Sequence, residues 1–251
     1  MVGRVKGYIN IGWIMADFTN IMKHKTDYFS KEEIALMLNF CHDKINNSFI
    51  GSRWLRNYML ILTLFRTGRR VSEIVGQPPY TKAKGLRPLD FHDDFLIEFD
   101  ILKKNQVKRK TKKGTIRKPD ILKKLRFERI PLRRLKPVDK YYYNLMMEFI
   151  ENQNIQSHQR IFRITRQRVD IIVKQIAEGC KIARDYSKIH AHQFRHSFSI
   201  HFLKGNPRNP MALLQLKDLL EHSSTDVTSI YAQFTQEDKQ ESVENAFGDE
   251  Q

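Results

Sequence analysis

The sequence has few cysteines and no long apolar run, and both deficits narrow the class of protein it can encode. Its 251 residues include two cysteines, Cys41 and Cys180, which lie far apart along the chain in different apolar contexts. Two thiols cannot form a cysteine-rich zinc site, and no disulfide framework is implied. No apolar stretch approaches the roughly 20 residues that span a bilayer, and the N-terminal apolar run lacks a small-residue cleavage site. We therefore expect a soluble, cytoplasmic protein.

Acidic residues are also scarce relative to basic ones. The chain carries 28 Asp and Glu against 44 Lys and Arg, so its net charge is +16. Residues 101–136 hold sixteen Lys or Arg and two acids, and this segment contributes +14 of that charge. A protein this basic most often binds a polyanion, and nucleic acid is the first expectation. The other interpretation is a protein that is merely basic, such as one associated with the ribosome.

Strand-like segments flank the basic run. Residues 95–101 precede it and residues 126–131 follow it, so the run is predicted to be a long basic hairpin instead of a tail. Elsewhere the apolar residues recur at helical spacing, and Ser30 and Glu33 have the spacing of a capping box at the first helix. The sequence therefore predicts an α+β fold, mostly α-helical, with one small antiparallel sheet. The further predicted helices cover residues 53–66, 70–75, 138–152, 166–184, 192–203, 211–220 and 225–234.

Three short patterns group polar side chains that suit one kind of chemistry. They are Thr-Gly-Arg-Arg-Val-Ser-Glu at residues 67–73, His-Gln-Phe-Arg-His at residues 192–196, and Leu-Leu-Glu-His at residues 219–222. A tyrosine, Tyr231, follows the third pattern after nine residues. Each residue alone is weak evidence, because a single tyrosine or arginine more often has a structural role. The evidence for a shared function is the order of these patterns along the chain and the sequence context of each.

Cleavage of a phosphodiester without a metal requires a nucleophile, neutralisation of the phosphate oxygens, and a proton for the leaving oxygen. Arg70 and Arg195 suit the second task, because a planar guanidinium binds two oxygens at once and keeps its proton. His192 lies three residues before Arg195, so both side chains point to the same side of a helix. Glu73 lies three residues after Arg70 and can brace that guanidinium.

Together these patterns resemble the catalytic domain of the tyrosine recombinases, also called phage-type integrases, of the archaeal or mobile-element type. The resemblance covers about residues 28–245 and implies that family's fold, with a three-stranded antiparallel sheet. It also implies that a tyrosine attacks DNA to form a 3′-phosphotyrosine link, with no metal, ATP or other cofactor. The catalytic residues it implies are Arg70, Lys103, His192, Arg195, His222 and Tyr231.

The family's lysine lies on a mobile hairpin and donates a proton to the leaving oxygen. The resemblance places it at Lys103, with Lys104 as second choice. The interval before the Arg-Ile-Pro-Leu stretch at residues 129–132 is longer than usual in the family, so Lys110 and Lys113 stay open.

Two residues and one segment depart from the family pattern. Phe194 stands where the family has leucine, which is a tolerable apolar change. Glu221 stands where the family has glycine, and a positive φ is easiest for glycine, so we expect a different local turn and a carboxylate that weakens phosphate binding. We expect residues 1–27 to be an N-terminal extension and residues 28–251 the catalytic domain, with no full N-terminal core-binding domain. The resemblance further implies a homo-tetramer on double-stranded DNA, a monomer or weak oligomer when free, and no membrane partner.

Two other functions are compatible with the same residues. One is a non-catalytic DNA-binding module of this fold, and the other is topoisomerase-like nicking and rejoining by a monomer. The leading hypothesis is site-specific recombination, in the integration or excision of a mobile element. Four histidines lie close together in the sequence, at His190, His192, His196 and His201. A metal site is not expected there, because no Cys or carboxylate cluster accompanies them.

Overall fold

A long buried helix occupies the middle of the fold. The computed structural model describes residues 28–47, 51–78, 83–102, 132–207, 209 and 211–221. Within them the helices, in chain order, are α1 (Lys31–Asn47), α2 (Gly51–Thr67), α3 (Val71–Val75), α4 (Lys140–Asn152), α5 (Arg166–Gly179), α6 (His192–Lys204) and α7 (Ala212–Leu220). The strands are β1 (Phe91–His92), β2 (Leu96–Ile101) and β3 (Leu132–Pro137).

Helix α2 is the central element because it is buried on every side from Met59 to Leu64. Such burial is expected for a helix surrounded by other elements. It packs against α1, α4 and α6. The predicted capping box at the start of α1 is confirmed, since the Ser30 amide donates to Glu33 Oε2 at 2.8 Å and the Glu33 amide donates to Ser30 Oγ at 3.2 Å.

The predicted antiparallel sheet is confirmed and has the order β1-β2-β3. In the β2–β3 pair, Leu96 faces Pro137 and Ile101 faces Leu132. The strand that pairs with β2 therefore lies just after the segment predicted for it, and residues 126–131 themselves lie outside the described residues. Since Ile101 and Leu132 are paired, the most basic part of the chain connects two adjacent strands.

Helix α5 is shorter than predicted, ending at Gly179 instead of residue 184. Lys181 adopts a left-handed conformation with φ of 57°, and the Ile182 amide donates back to the Ala177 carbonyl at 3.0 Å. This closing turn buries Ile182. Arg184 then pairs with Glu33 at the start of α1.

The two cysteines belong to the same core, although the sequence suggested separate contexts. Cys41 is buried in α1, and Cys180 packs against the cluster that contains it. Burial raises the pKa of Cys41 to about 12 and that of Cys180 to about 11. Both are free, neutral thiols at physiological pH.

Helices α6 and α7 share a second, smaller apolar cluster. Its buried members are Ile200, Leu216 and Leu220, with the half-buried Phe198 and Phe202 packed against them. This cluster sets the C-terminal end of α7 beside the turn that joins α2 to α3. Among the described helices, none is both long and apolar enough to cross a membrane.

Candidate active site

Arg70 lies immediately before α3, at the point where the chain leaves the buried helix α2. The carboxylate of Glu73 organises this residue, because its Oε2 accepts the Arg70 backbone amide at 3.1 Å and its Oε1 accepts Nη1 at 2.9 Å. Glu73 is buried, whereas the Arg70 side chain is 16% exposed. The bracing expected from the spacing of these two residues is present, and it leaves the guanidinium partly exposed.

Gly68 makes the turn that delivers Arg70 to this position. Its φ is +58°, in the left-handed region that favours glycine. A Cβ at this position would lie 2.5 Å from Cδ1 of Phe198 and 3.0 Å from Cδ2 of Leu220. The glycine of the first sequence pattern is therefore required by backbone conformation and by close packing against α6 and α7.

Replacing Gly68 with alanine is expected to lower the free energy of unfolding by on the order of 2 kcal/mol, from the left-handed backbone and the displaced Phe198 ring. Urea denaturation measures the loss. Gly205→Ala is the matched control, because Gly205 has φ of −77°, and we expect a change within about 0.5 kcal/mol. Equal effects of the two substitutions would contradict this account of Gly68.

Arg195 projects from α6 into the junction between that turn and the end of α7. It is 2% exposed. Its Nη1 donates to the Gly68 carbonyl at 2.8 Å, and its Nη2 donates to the Leu220 carbonyl at 2.6 Å. One guanidinium thus joins α6 to the turn between α2 and α3 and to the end of α7.

His192 lies one helical turn before Arg195 and has an exposed side chain. Partial burial lowers the pKa of this imidazole to about 4, and the neighbouring His196, Arg195 and Arg70 lower it further. The imidazole is therefore neutral at physiological pH and able to accept a proton. Arg195 lies one turn after His192 on α6 and donates to the carbonyl of Gly68, two residues before Arg70. The structure therefore brings together the three predicted site residues that it describes.

Glu221 keeps the turn that a glycine would make, contrary to the expectation from its sequence. It ends α7 with φ of 54° and ψ of 43°, in the left-handed region. Its carboxylate is buried and lies 2.9 Å from Lys136 Nζ. The acid is therefore neutralised by a lysine of β3.

Sequence reasoning did not select Arg69 and Lys136, which are buried charges at this site. Arg69 Nε donates to Glu73 Oε2 at 3.0 Å, and its guanidinium lies over the Phe99 ring at 5.0 Å. Burial lowers the pKa of Arg69. Lys136 is buried in β3, a strand in which three of the six side chains are basic. The sequence of this strand has no alternation of apolar and polar residues that would have predicted which side chain is buried.

The remaining predicted catalytic residues, Lys103, His222 and Tyr231, lie outside the described residues, as do the alternative lysines Lys104, Lys110 and Lys113. Their roles stay predictions. Within the part of the chain that is described, no group of three or more His, Cys, Asp or Glu side chains is arranged to hold a metal ion.

The chain belongs to the Phage integrase family, whose sequence profile matches residues 98–238, more than half of its length. No curated protein sequence matches the chain significantly. Solved structures of tyrosine recombinases share its fold. XerH recombinase bound to its palindromic difH substrate superposes with a TM-score of 0.55 at 19% identity, over 86% of this chain and 52% of XerH.

Two further structures give similar values. XerA recombinase has a TM-score of 0.52 at 14% identity, over 86% of this chain and 61% of XerA. The Tn1549 transposon integrase, in complex with a circular-intermediate DNA, has a TM-score of 0.51 at 17% identity, over 83% of this chain and 62% of the integrase chain. The chain thus spans between half and two thirds of these proteins. The family and the catalytic-domain fold predicted from the sequence are confirmed.

Proposed function

We propose that this chain cuts and rejoins DNA strands through a 3′-phosphotyrosine intermediate, as a site-specific recombinase that integrates or excises a mobile element. The observation that carries the proposal is the convergence of Arg70, Arg195 and His192, at the turn where Arg195 contacts the Gly68 carbonyl, in a member of the Phage integrase family. Two guanidiniums beside a neutral imidazole form a site for a tetrahedral anion whose charge increases during reaction.

The site is organised before DNA arrives, and this favours catalysis over mere binding. Glu73 orients Arg70, and two backbone carbonyls orient Arg195. Because these side chains are already held, little reorganisation is needed when charge develops on the phosphate oxygens. A site used only for DNA retention would not need such precise support.

Residues of this chain supply the nucleophile, the base and the acid that strand cleavage requires. The Tyr231 hydroxyl oxygen attacks phosphorus, the bond to the 5′ oxygen breaks, and the phosphate stays linked to tyrosine. The phenolic proton passes to a neutral imidazole, for which His192 and His222 are the candidates, and Lys103 gives a proton to the leaving oxygen. Attack by a 5′ hydroxyl of a partner strand reverses the step, so no external energy source is required.

Double-stranded DNA is the proposed partner, with a homo-tetramer assembled on two sites. The net charge of +16 and the basic segment between β2 and β3 support DNA binding. The structurally similar XerH and Tn1549 integrase are seen in complexes with DNA.

Trapping on a nicked suicide duplex tests the proposal. A binding site is first selected from randomised duplexes, and a nick beside the scissile phosphate then lets the 5′-hydroxyl fragment diffuse away. We expect a covalent protein–DNA complex that survives denaturant. Binding of the selected DNA without any adduct would indicate a non-catalytic module, and adducts with single-site plasmid relaxation but no two-site product would indicate a topoisomerase.

The salt dependence of binding is expected to report on the basic hairpin. Replacing Lys112, Lys118 and Lys123 with glutamine should reduce the slope of log K against log salt by about 0.9 for each phosphate that is no longer neutralised by a lysine. Replacing Lys31 and Lys44 on α1 with glutamine is the control and should leave the slope unchanged. A slope that is the same in the hairpin variant and in the wild type would mean that these lysines do not contact DNA.

Lys103→Ala is expected to cleave ordinary DNA slowly but to cleave a substrate with a 5′-bridging sulfur at nearly the wild-type rate. Sulfur is a good leaving group and needs no acid, so the loss should be restricted to the oxygen substrate. Single-turnover rates on both substrates measure the difference, with Lys104→Ala as the matched variant. If Lys104→Ala instead shows the selective loss, the acid is Lys104.

A further inference from the structure

Three cationic side chains bind the last carbonyls of α7. The carbonyls at the end of a helix have no partner within the helix and carry the negative end of its dipole, so cations there are stabilising. The donors come from β3, from the turn between α2 and α3, and from α6. The pairs are Lys136 Nζ with the Asp218 carbonyl at 2.8 Å, Arg69 Nη1 with the Leu219 carbonyl at 2.9 Å, and Arg195 Nη2 with the Leu220 carbonyl at 2.6 Å.

Lys136 has three partners at this helix end. Besides the Asp218 carbonyl, its Nζ contacts Asp218 Oδ2 at 2.9 Å and Glu221 Oε1 at 2.9 Å. Three acceptors match the three N–H groups of an ammonium. The Asp218 side chain is 78% exposed, whereas the side chains of Lys136 and Glu221 are 8% and 2% exposed. Glu221 is therefore the buried counter-ion of Lys136.

The ion pair compensates for the absence of glycine at position 221. A residue with a Cβ is disfavoured in the left-handed conformation, yet Glu221 adopts it at the end of α7. The contact with Lys136 holds the carboxylate on the inner side of the turn. Removal of either charge alone would leave the other buried without this ion pair, which disfavours the observed conformation of residue 221.

We propose that Lys136 is a positioning residue for strand cleavage, acting through Glu221 on His222. The inference rests on the proposed function. His222 follows Glu221 directly in the chain, and consecutive Cα atoms are about 3.8 Å apart. A fixed position of Glu221 therefore restricts the position of the His222 backbone. Lys136 also lies on β3, the strand that follows the basic segment and pairs with β2. One side chain thereby connects this strand to the end of α7.

A double-substitution cycle tests the inference with the full chain on the nicked duplex. Lys136→Met should lower the rate of adduct formation at saturating DNA by about 10- to 100-fold, as expected for a small displacement of a reacting group, with Kd changed by less than about threefold. Adding Glu221→Gly should restore the rate to within about threefold of wild type, because glycine takes the turn freely and neither charge of the Lys136–Glu221 pair is left buried.

Rescue by the second substitution distinguishes positioning from general damage to the fold. Arg134→Met removes an exposed cation from the same strand and should leave the rate unchanged. If Lys136→Met does not fold, Glu221→Gln keeps the side-chain volume and should itself slow adduct formation. Wild-type rates in both Lys136→Met and Glu221→Gln, or a double variant as slow as Lys136→Met, would overturn the inference.

Amide hydrogen exchange over residues 212–221 provides a measurement that does not depend on cleavage. Protection should fall in Lys136→Met and return in the double variant. If the wild type forms no adduct while this pattern is observed, the proposed function fails and the anchoring of α7 is supported. If the wild type forms an adduct but protection is the same in all variants, the positioning role of Lys136 fails and the proposed function stands.

Discussion

Replacing Tyr231 with phenylalanine is expected to abolish covalent attachment to DNA and to leave DNA binding nearly unchanged. The substitution removes one oxygen, which is the proposed nucleophile, and retains the ring. Without that oxygen no phosphotyrosyl bond can form, whatever the state of the arginines. Denaturing gels of the suicide-substrate reaction measure the adduct, and mobility shifts measure binding.

Tyr141→Phe is the matched control, because Tyr141 is a partly exposed tyrosine on α4, far along the chain from the three patterns. It should form adduct at the wild-type rate. An adduct in Tyr231→Phe would show that another residue attacks the phosphate, and peptide mapping of that adduct would identify it.

Element boundaries with a local chemical marker were predictable from the sequence. Ser30 and Glu33 mark the start of α1 because their contacts are confined to one helical turn. The end of α5 has no such marker. Its left-handed Lys181 is not a residue that favours this conformation, and the turn is stabilised by burial of Ile182 and by the contact of Arg184 with Glu33, 151 residues away.

The residues of the candidate active site show the same difference between local contacts, which were predictable, and distant contacts, which were not. The spacing of Arg70 and Glu73 predicted a contact that occurs within a single turn. The burial of Arg195 was not predictable, because its partners are carbonyls of Gly68 and Leu220, and every residue has a carbonyl. Sequence patterns identify side chains with distinctive chemistry, whereas backbone acceptors are identified only by the fold.

Glu221 shows how a departure from a family pattern can be misread. The sequence suggested an altered turn and a carboxylate that disturbs phosphate binding. The structure retains the turn and pairs the carboxylate with Lys136. Lys136 lies 85 positions earlier in the chain, so the compensation became visible only once β3 was placed beside α7.

Replacing Arg195 with lysine is expected to lower the rate of DNA cleavage by roughly 100-fold or more, although the positive charge is kept. The guanidinium uses separate nitrogens for the Gly68 and Leu220 carbonyls, and its five N–H donors lie in one plane. An ammonium presents all its donors from one atom, so it cannot hold both carbonyls in this geometry and also bind two phosphate oxygens. Single-turnover cleavage at saturating DNA measures the loss.

Arg166→Lys on the exposed start of α5 is the control for Arg195→Lys and should cleave at the wild-type rate. Kd should change little in either variant, because the net charge is conserved and phosphate contacts dominate DNA affinity. A thermal unfolding curve separates a catalytic loss from a folding defect. Cleavage by a folded Arg195→Lys within about threefold of wild type would mean that charge alone suffices at this position, and the planar fork would then have no special role in neutralising the phosphate.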